Sequence, residues 1–505
     1  MQESPSDAEP RGAVLTGGRE ASSGAILALL CGIVFLAVIN GTMVNIALPF
    51  IGREFGVGES VYAWVVISFS LMFGIFSAVH GRLADLFGVR RLYLLGMMVL
   101  GLASLLVAFA PDIVTLIGIR FVQGAGSAAM PALGPVIVSR VIPPEHRGAA
   151  LGVILGSIGV AASIGPFLGG VVVQFFGWRA VFLLTATVLL AVPVAFRVLP
   201  RRLDEVSSDE RFDLSGALLL GVTAAVLMLS LTVLERFGAG WEFGAMLVFG
   251  VLAGAGFLLR IHVARSPFVP PSLFGDRRYA AMLGSGFCLN ATRFGTVVLV
   301  PALLVEVHAL APIWIGVILL PGALCIALLS RRAGRLSDRM GSRRPVVVGA
   351  VGVLLGNMVT AASAGVSVVG VAVGMLLYGL GFAFMQSPLL SATSWIVPRA
   401  WAGTGTGLYM TIFFLGGAFG VSVSMTAVSL QGPVATSWLG MSWLEGGAAY
   451  SNAMLCLSLL SIVPLLSARC VPGREMVVVR GAVSSGPAAE RSGLVRSEPD
   501  GSGRR

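Results

Sequence analysis

From Gly24 to Leu466 the chain alternates apolar runs of about twenty residues with short polar breaks. As helices, runs of that length cross a hydrocarbon layer of roughly 30 Å. The breaks predict spans near 25–49, 61–80, 92–110, 113–138, 149–173 and 180–199, then two near 214–234 and 243–261. Six more follow near 280–305, 313–330, 345–364, 366–392, 404–430 and 451–468. The first run is too long for the core of a signal peptide and reads as a retained helix. The pattern predicts an all-α membrane protein of about fourteen helices. Its parts are a polar N-tail (1–24), a six-helix bundle (25–199), two inserted helices with flanking loops (200–279), a second six-helix bundle (280–470) and a disordered polar C-tail (471–505).

Composition agrees with the pattern: apolar residues make up 56% of the chain and charged residues 11%, against roughly 45–50% and 25% in soluble proteins. Gly, at 66 residues, is about twice its usual share, which favours closely packed helices. Five cysteines without ligand spacing predict neither a disulfide framework nor a metal site, and nothing points to a cofactor.

The net charge of +10 would fit nucleic acid if it were clustered, but its placement fits a bilayer instead. All 34 basic residues are Arg, which suggests a GC-rich source. With the N-terminus inside, 29 Arg fall in inside segments and three outside, at Arg53, Arg179 and Arg236. This asymmetry predicts a multi-pass protein of the bacterial cytoplasmic membrane with both termini cytoplasmic. The remaining two, Arg120 and Arg293, fall inside spans.

The chain also repeats itself. Gly81-Arg-Leu-Ala-Asp85-Leu-Phe-Gly88-Val-Arg90-Arg91 returns as Gly334-Arg-Leu-Ser-Asp338-Arg-Met-Gly341-Ser-Arg343-Arg344, with seven identities in eleven positions at an offset of 253. Gly124, Gly126, Pro143, Gly148, Gly152 and Gly165 each find the same residue 255 positions later. The six-helix groups therefore read as parallel copies, separated by a two-helix insert that preserves their orientation.

Together these motifs resemble the major facilitator superfamily, and within it the fourteen-helix drug:proton antiporter branch, over about residues 25–470. The loop Gly81–Arg91 is similar to the signature between helices two and three. Arg120-Phe-Val-Gln123-Gly124-Ala-Gly126 resembles the drug-exporter motif of helix four. Gly165-Pro166-Phe-Leu-Gly169-Gly170 resembles the antiporter motif of helix five, and Asn40-Gly-Thr42-Met-Val-Asn45-Ile-Ala-Leu48-Pro49 that of helix one. The resemblance implies alternating access and proton antiport, with two departures. Asn40 stands where the family typically has an aspartate thought to take part in proton coupling, and Leu86 stands where an arginine is usual. An amide cannot carry a proton at ordinary pH.

Each motif carries a chemical expectation. Asp85, paired with arginines or helix N-termini across the interface between halves, could latch the inner side, with Asp338 and Arg343 as counterparts of Asp85 and Arg90; otherwise these arginines only obey the charge rule. Gly165, Pro166, Gly169 and Gly170 permit a bend or close contact that seals the outer side. A mid-span arginine costs roughly 2.5–3.5 kcal/mol, so Arg120 is expected to face a cavity with Asn40, Thr42 or Gln123 as partners, in substrate or coupling work; a structural polar anchor is the alternative. Arg293, outside any family motif, is likewise expected to face the cavity; the alternative is a span that begins later, with Arg293 snorkelling inward, although Val297–Val305 alone is too short to cross. All 24 carboxylates fall in tails, loops or span ends; Glu306, at the outer end of a span, is the fallback proton carrier.

Positive cavity charge favours a neutral or anionic amphipathic substrate. The expected activity is secondary active export of small organic molecules such as antibiotics. Uptake, or potential-driven passage of an organic anion with proton coupling lost, is the alternative. No G-x-x-x-x-G-K-[ST] loop exists and no Lys could complete one, which excludes ATP-driven transport. A membrane-embedded enzyme would need clustered His, Asp or Glu at membrane depth, and a sensor would need a folded soluble domain; the sequence offers neither.

Overall fold

A computed structural model describes residues 23–204, 213–264, 275–397, 402–431, 438 and 447–473; the two tails fall largely outside them. The first six helical segments are α1 (Ser23–Phe55), α2 (Glu59–Phe87), α3 (Val89–Ala108), α4 (Ile113–Ser127 continued by Ala129–Val141), α5 (Pro144–Phe176) and α6 (Arg179–Ala186 continued by Val188–Val198). The insert is α7 (Leu214–Phe237) and α8 (Trp241–Val263). The second group is α9 (Arg277–Glu306), α10 (Pro312–Met340), α11 (Arg343–Ser363), α12 (Val368–Ile396), α13 (Ala402–Gln431) and α14 (Gly447–Leu460 continued by Ile462–Leu466).

Each of the fourteen apolar runs falls on one of these segments. Among the described residues twelve helices are long and apolar enough to cross a membrane, and a bent pair within α5 makes a possible thirteenth. In α7 the apolar stretch is shorter, Leu218–Leu234. Glycines set several of the breaks. Gly88 ends α2 with φ +87 and Gly341 ends α10 with φ +81, left-handed backbone that a side chain would strain. These are matching positions of the repeated loop.

Packing shows the same repetition. A Cβ on Gly124 would strike the Phe69 backbone of α2, and one on Gly379 the Gly322 backbone of α10. Gly126 lies against Val99 of α3, and Gly381 against Val353 of α11. Gly165 meets Thr42 of α1, and Gly420 meets Ala291 of α9. Each glycine lets two backbones approach where no hydrophobic force drives helices together in lipid. The repeated glycines are thus the matching crossing points of two like bundles.

The bundles meet along two seams, α2 with α13 and α5 with α10. Helix α7 lies over the first seam, where Trp64 Nε1 donates to Thr232 Oγ1 at 2.9 Å and Ser422 Oγ donates to the Met228 carbonyl at 3.3 Å. Helix α8 packs on α7 and leaves Leu252, Leu259 and Val263 exposed.

Toward the face where α1 ends and α2 begins, one hydrophobic core runs through both bundles, including Leu48, Tyr62, Phe182, Leu303, Ile315 and Met454. This is the arginine-poor face. Toward the arginine-rich face the core divides. One part lies within the first bundle, around Tyr93, Met97 and Ile137; the other lies in the second, around Tyr378, Phe382 and Tyr409, with Leu71, Ile75 and Val79 of α2 joining it. A two-bundle protein with this division is closed on its arginine-poor side.

Candidate functional site

Arg120 and Gln123 stand one turn apart on α4, so their side chains share a face. Around them α1 contributes Asn40, α2 the Val65 carbonyl and the Phe69 ring, α3 Ser104, and α6 Thr185 and Phe182. Arg120 Nε donates to Val65 O at 2.8 Å, and its Nη1 to Asn40 Oδ1 at 3.2 Å and to Gln123 Oε1. Asn40 Nδ2 in turn donates to Thr185 Oγ1 at 2.8 Å, and Gln123 Nε2 to Ser104 Oγ at 2.6 Å. The guanidinium lies 4.2 Å from the Phe69 ring centroid and 5.7 Å from that of Phe182, a cation–π arrangement that gains strength out of water. The hydrogen-bond partners of Arg120 are neutral oxygens throughout.

Two expectations change here. Arg120 is 1% exposed, enclosed by the first bundle instead of facing a cavity, because these oxygens and ring faces satisfy it from inside. Thr42, expected as a partner, turns its hydroxyl to the Ile39 carbonyl at 3.0 Å and lies under Gly165.

Arg293 contrasts with it. It lies near the middle of α9, partly accessible, 5.1 Å from the Phe382 ring centroid and 5.7 Å from that of Phe294. Among the described residues its guanidinium makes no hydrogen bond and no ion pair. One turn earlier, buried Asn290 donates to the Phe413 carbonyl of α13 at 2.8 Å. Arg120 and Arg293 are not brought together; each belongs to its own bundle. An aromatic chain crosses between the halves, from Phe69 to Phe73 (5.7 Å), Phe414 (4.5 Å) and Phe413 (5.6 Å).

The helix-five motif reaches the other seam through one of its glycines. Gly165 and Gly169 face Thr42 and Met43 of α1, whereas Gly170 lies against the Pro312 carbonyl of α10 and Gly316 of α10 lies against Pro166 and Phe167. The axis of α5 bends by 44° between Gly156–Ala162 and Ile164–Phe176, and Pro166, which removes a ladder hydrogen bond, follows the bend. Glu306, the last residue of α9, is about one-third exposed and pairs with Arg53 of α1 at 3.2 Å; Arg53 also donates to the Val305 carbonyl at 3.5 Å. This pair joins the two bundles at the arginine-poor face.

Gly81, Asp85 and Asp338 lie on the ends of α2 and α10, but the side chains of both aspartates lie outside the described part. Arg90 is nearly buried and works within the first bundle. It donates to the Leu199 and Phe196 carbonyls at 2.9 and 2.7 Å, pairs with Asp204 at 3.4 Å and lies over the Phe196 ring. The Arg91 amide donates to Asp204 Oδ1 at 3.0 Å and its side chain pairs with Asp204 at 3.7 Å. Arg90 therefore ties α3 to the end of α6, where carbonyls left free by the helix terminus accept it, and does not reach across the halves. In the second bundle the Pro472 carbonyl replaces Asp204, accepting from the Ser342 and Arg343 amides at 3.0 and 3.2 Å, and the Arg343 side chain is exposed.

Sequence reasoning missed Asp204, Ser104 and Thr185. Asp204 carried a faint signal as a carboxylate just after the Arg201-Arg202 pair. Ser104 and Thr185 carried none, since lone hydroxyls in apolar spans ordinarily bond their own helix.

Fold and site together define a polytopic membrane transporter. The family model described as Major Facilitator Superfamily matches residues 30–421. The chain belongs to that superfamily and is a transporter, not an enzyme. It is 31% identical over 414 residues to the multidrug resistance protein Stp of Mycobacterium tuberculosis, covering 80% of this chain and 74% of that one. It is 32% identical over 404 residues to the puromycin resistance protein pur8 of Streptomyces alboniger (77% and 79% covered) and 28% identical over 416 residues to the riboflavin transporter RibZ of Clostridioides difficile (78% and 86%). Among solved structures it is similar to a peptide transporter POT in complex with sulfate, at TM-score 0.63, 16% identity and coverage of 89% and 96%. It is also similar to a bacterial homolog of the lysosomal transporter Spinster in an inward-facing and unoccupied conformation, at TM-score 0.62, 15% identity and coverage of 89% and 98%. These structural likenesses speak to fold alone.

Proposed function

We propose that the protein is a secondary active exporter of small amphipathic organic molecules, antibiotics among them, of the fourteen-helix drug:proton antiporter kind. It sits in a bacterial cytoplasmic membrane with both termini inside and works by rocking of the two bundles. The observation that carries this reading is the α5–α10 seam. In the Gly-Pro-x-x-Gly-Gly run that resembles the antiporter motif, Gly170 meets the Pro312 carbonyl of α10, and Gly316 of α10 meets Pro166 and Phe167, close contacts that support a seal on the arginine-poor side. The names of Stp and pur8 support the drug-export part.

A second reading rests on Asn40. The acceptor beside Arg120 is an amide oxygen, so this network holds no carboxylate to take up and release a proton, and potential-driven passage of an organic anion stands as the alternative. Everted membrane vesicles containing the protein and energised with an imposed proton-motive force test the export reading. Accumulation of puromycin above vesicles lacking the protein is expected. Accumulation confined to right-side-out vesicles would establish uptake and overturn it.

A further inference from the structure

The two in-span arginines differ in what satisfies them, and the difference assigns a site. Placing an arginine in mid-membrane costs roughly 2.5–3.5 kcal/mol. Arg120 offsets this with the Val65, Asn40 and Gln123 oxygens inside its own bundle. Arg293 has no such set among the described residues. Its helix shields it from lipid, because α9 carries no exposed residue between Ala281 and Val305. Arg293 and Phe294 are nevertheless partly accessible, and in a protein closed on its arginine-poor side that access leads to the space between the bundles. Phe382 of α12, buried in the core, backs the guanidinium at 5.1 Å, and the accessible Phe294 ring stands 5.7 Å from it. The Asn290 Oδ1 atom one turn away is buried without a partner.

From this geometry we infer that Arg293, with Phe294, anchors the anionic end of an aromatic substrate, such as an aromatic carboxylate. The planar guanidinium presents paired N–H groups that match a carboxylate, and the partly accessible Phe294 ring stacks on the aromatic body. Asn290 Oδ1 accepts from a hydroxyl or amide N–H on the same ligand. Recognition of charge therefore belongs to the second bundle, whereas Arg120 in the first is a sealed structural charge. The inference deepens the export reading by naming a substrate class, and it rests on that reading.

Equilibrium binding of radiolabelled 2-naphthoate to the full chain in nanodiscs tests it, with the uncharged isostere 2-naphthamide beside it. Saturable naphthoate binding is expected. Arg293→Gln should weaken it at least tenfold while changing naphthamide binding less than twofold, and Arg293→Lys should restore part of the loss. Retained naphthamide binding shows that the variant is folded. Absence of saturable naphthoate binding, an unchanged affinity in Arg293→Gln, or an equal loss for both probes would overturn the site. Because no transport is measured, failure here is separate from failure of export, which puromycin accumulation in everted vesicles reports independently.

Discussion

Arg120 Nη1 donates to Asn40 Oδ1 across 3.2 Å, fully enclosed between α4 and α1. An amide thus does the positioning that the family's aspartate would do, without the negative charge. Asn40 serves both sides of the bundle, since its Nδ2 reaches Thr185 of α6. Asn40→Ala leaves a buried guanidinium short of an acceptor and should cost about 1–3 kcal/mol. A lower melting temperature in detergent is the readout. Thr185→Val removes only the second bond and should cost about 0.6 kcal/mol, the average for hydrogen bonds between membrane helices.

At the α5–α10 seam, Gly170→Ala drives a methyl into the Pro312 carbonyl. It should hinder closure on the arginine-poor side. Labelling of a cysteine introduced at Phe167 by an impermeant maleimide from that side should rise several-fold in Gly170→Ala. Gly156→Ala on the same helix meets nothing within 4 Å and should leave labelling unchanged.

The Arg53–Glu306 pair crosses between bundles in an exposed place. Exposed pairs contribute about 0–1 kcal/mol, so Glu306→Gln should barely move the melting temperature. If Glu306 is the proton carrier, the same variant abolishes export driven by a pH gradient while substrate binding persists. Unchanged export would remove Glu306 from the coupling mechanism.

Asp204 organises the repeated loop by accepting from the Arg91 amide and pairing with Arg90. Asp204→Ala should destabilise the protein by about 1–3 kcal/mol, because a nearly buried arginine loses its charged acceptor. Asp204→Asn, which keeps an oxygen for the Arg91 amide, should recover part of that loss in the same melting experiment.

Much of this architecture is written in local pattern. Helix number follows from run length, and the repeat follows from glycines such as Gly126 and Gly381, whose small size is itself the packing signal. Partner choice is less legible. Arg120 could be placed in the membrane from sequence, and Asn40 and Gln123 named as candidates, but its enclosure depends on Ser104, Thr185 and two ring faces that no periodicity marks. Arg90 is marked by its repeated loop as the start of helix three, which names no partner for it. Its partner Asp204 lies 114 positions away, a distance that local reasoning does not bridge.

The most direct measurement is transport of an acidic, antibiotic-like compound in everted vesicles, with the pH gradient and the membrane potential imposed separately on the wild type and Asn40→Asp. Since Arg120 meets an amide and no carboxylate, the potential-driven reading, as opposed to proton antiport, predicts that potential alone drives accumulation in the wild type, with about 2.3 kcal/mol available per charge per 100 mV. It predicts that Asn40→Asp adds a response to the pH gradient. Accumulation driven only by the pH gradient in the wild type would contradict it and return the proton site to another residue, Glu306 first.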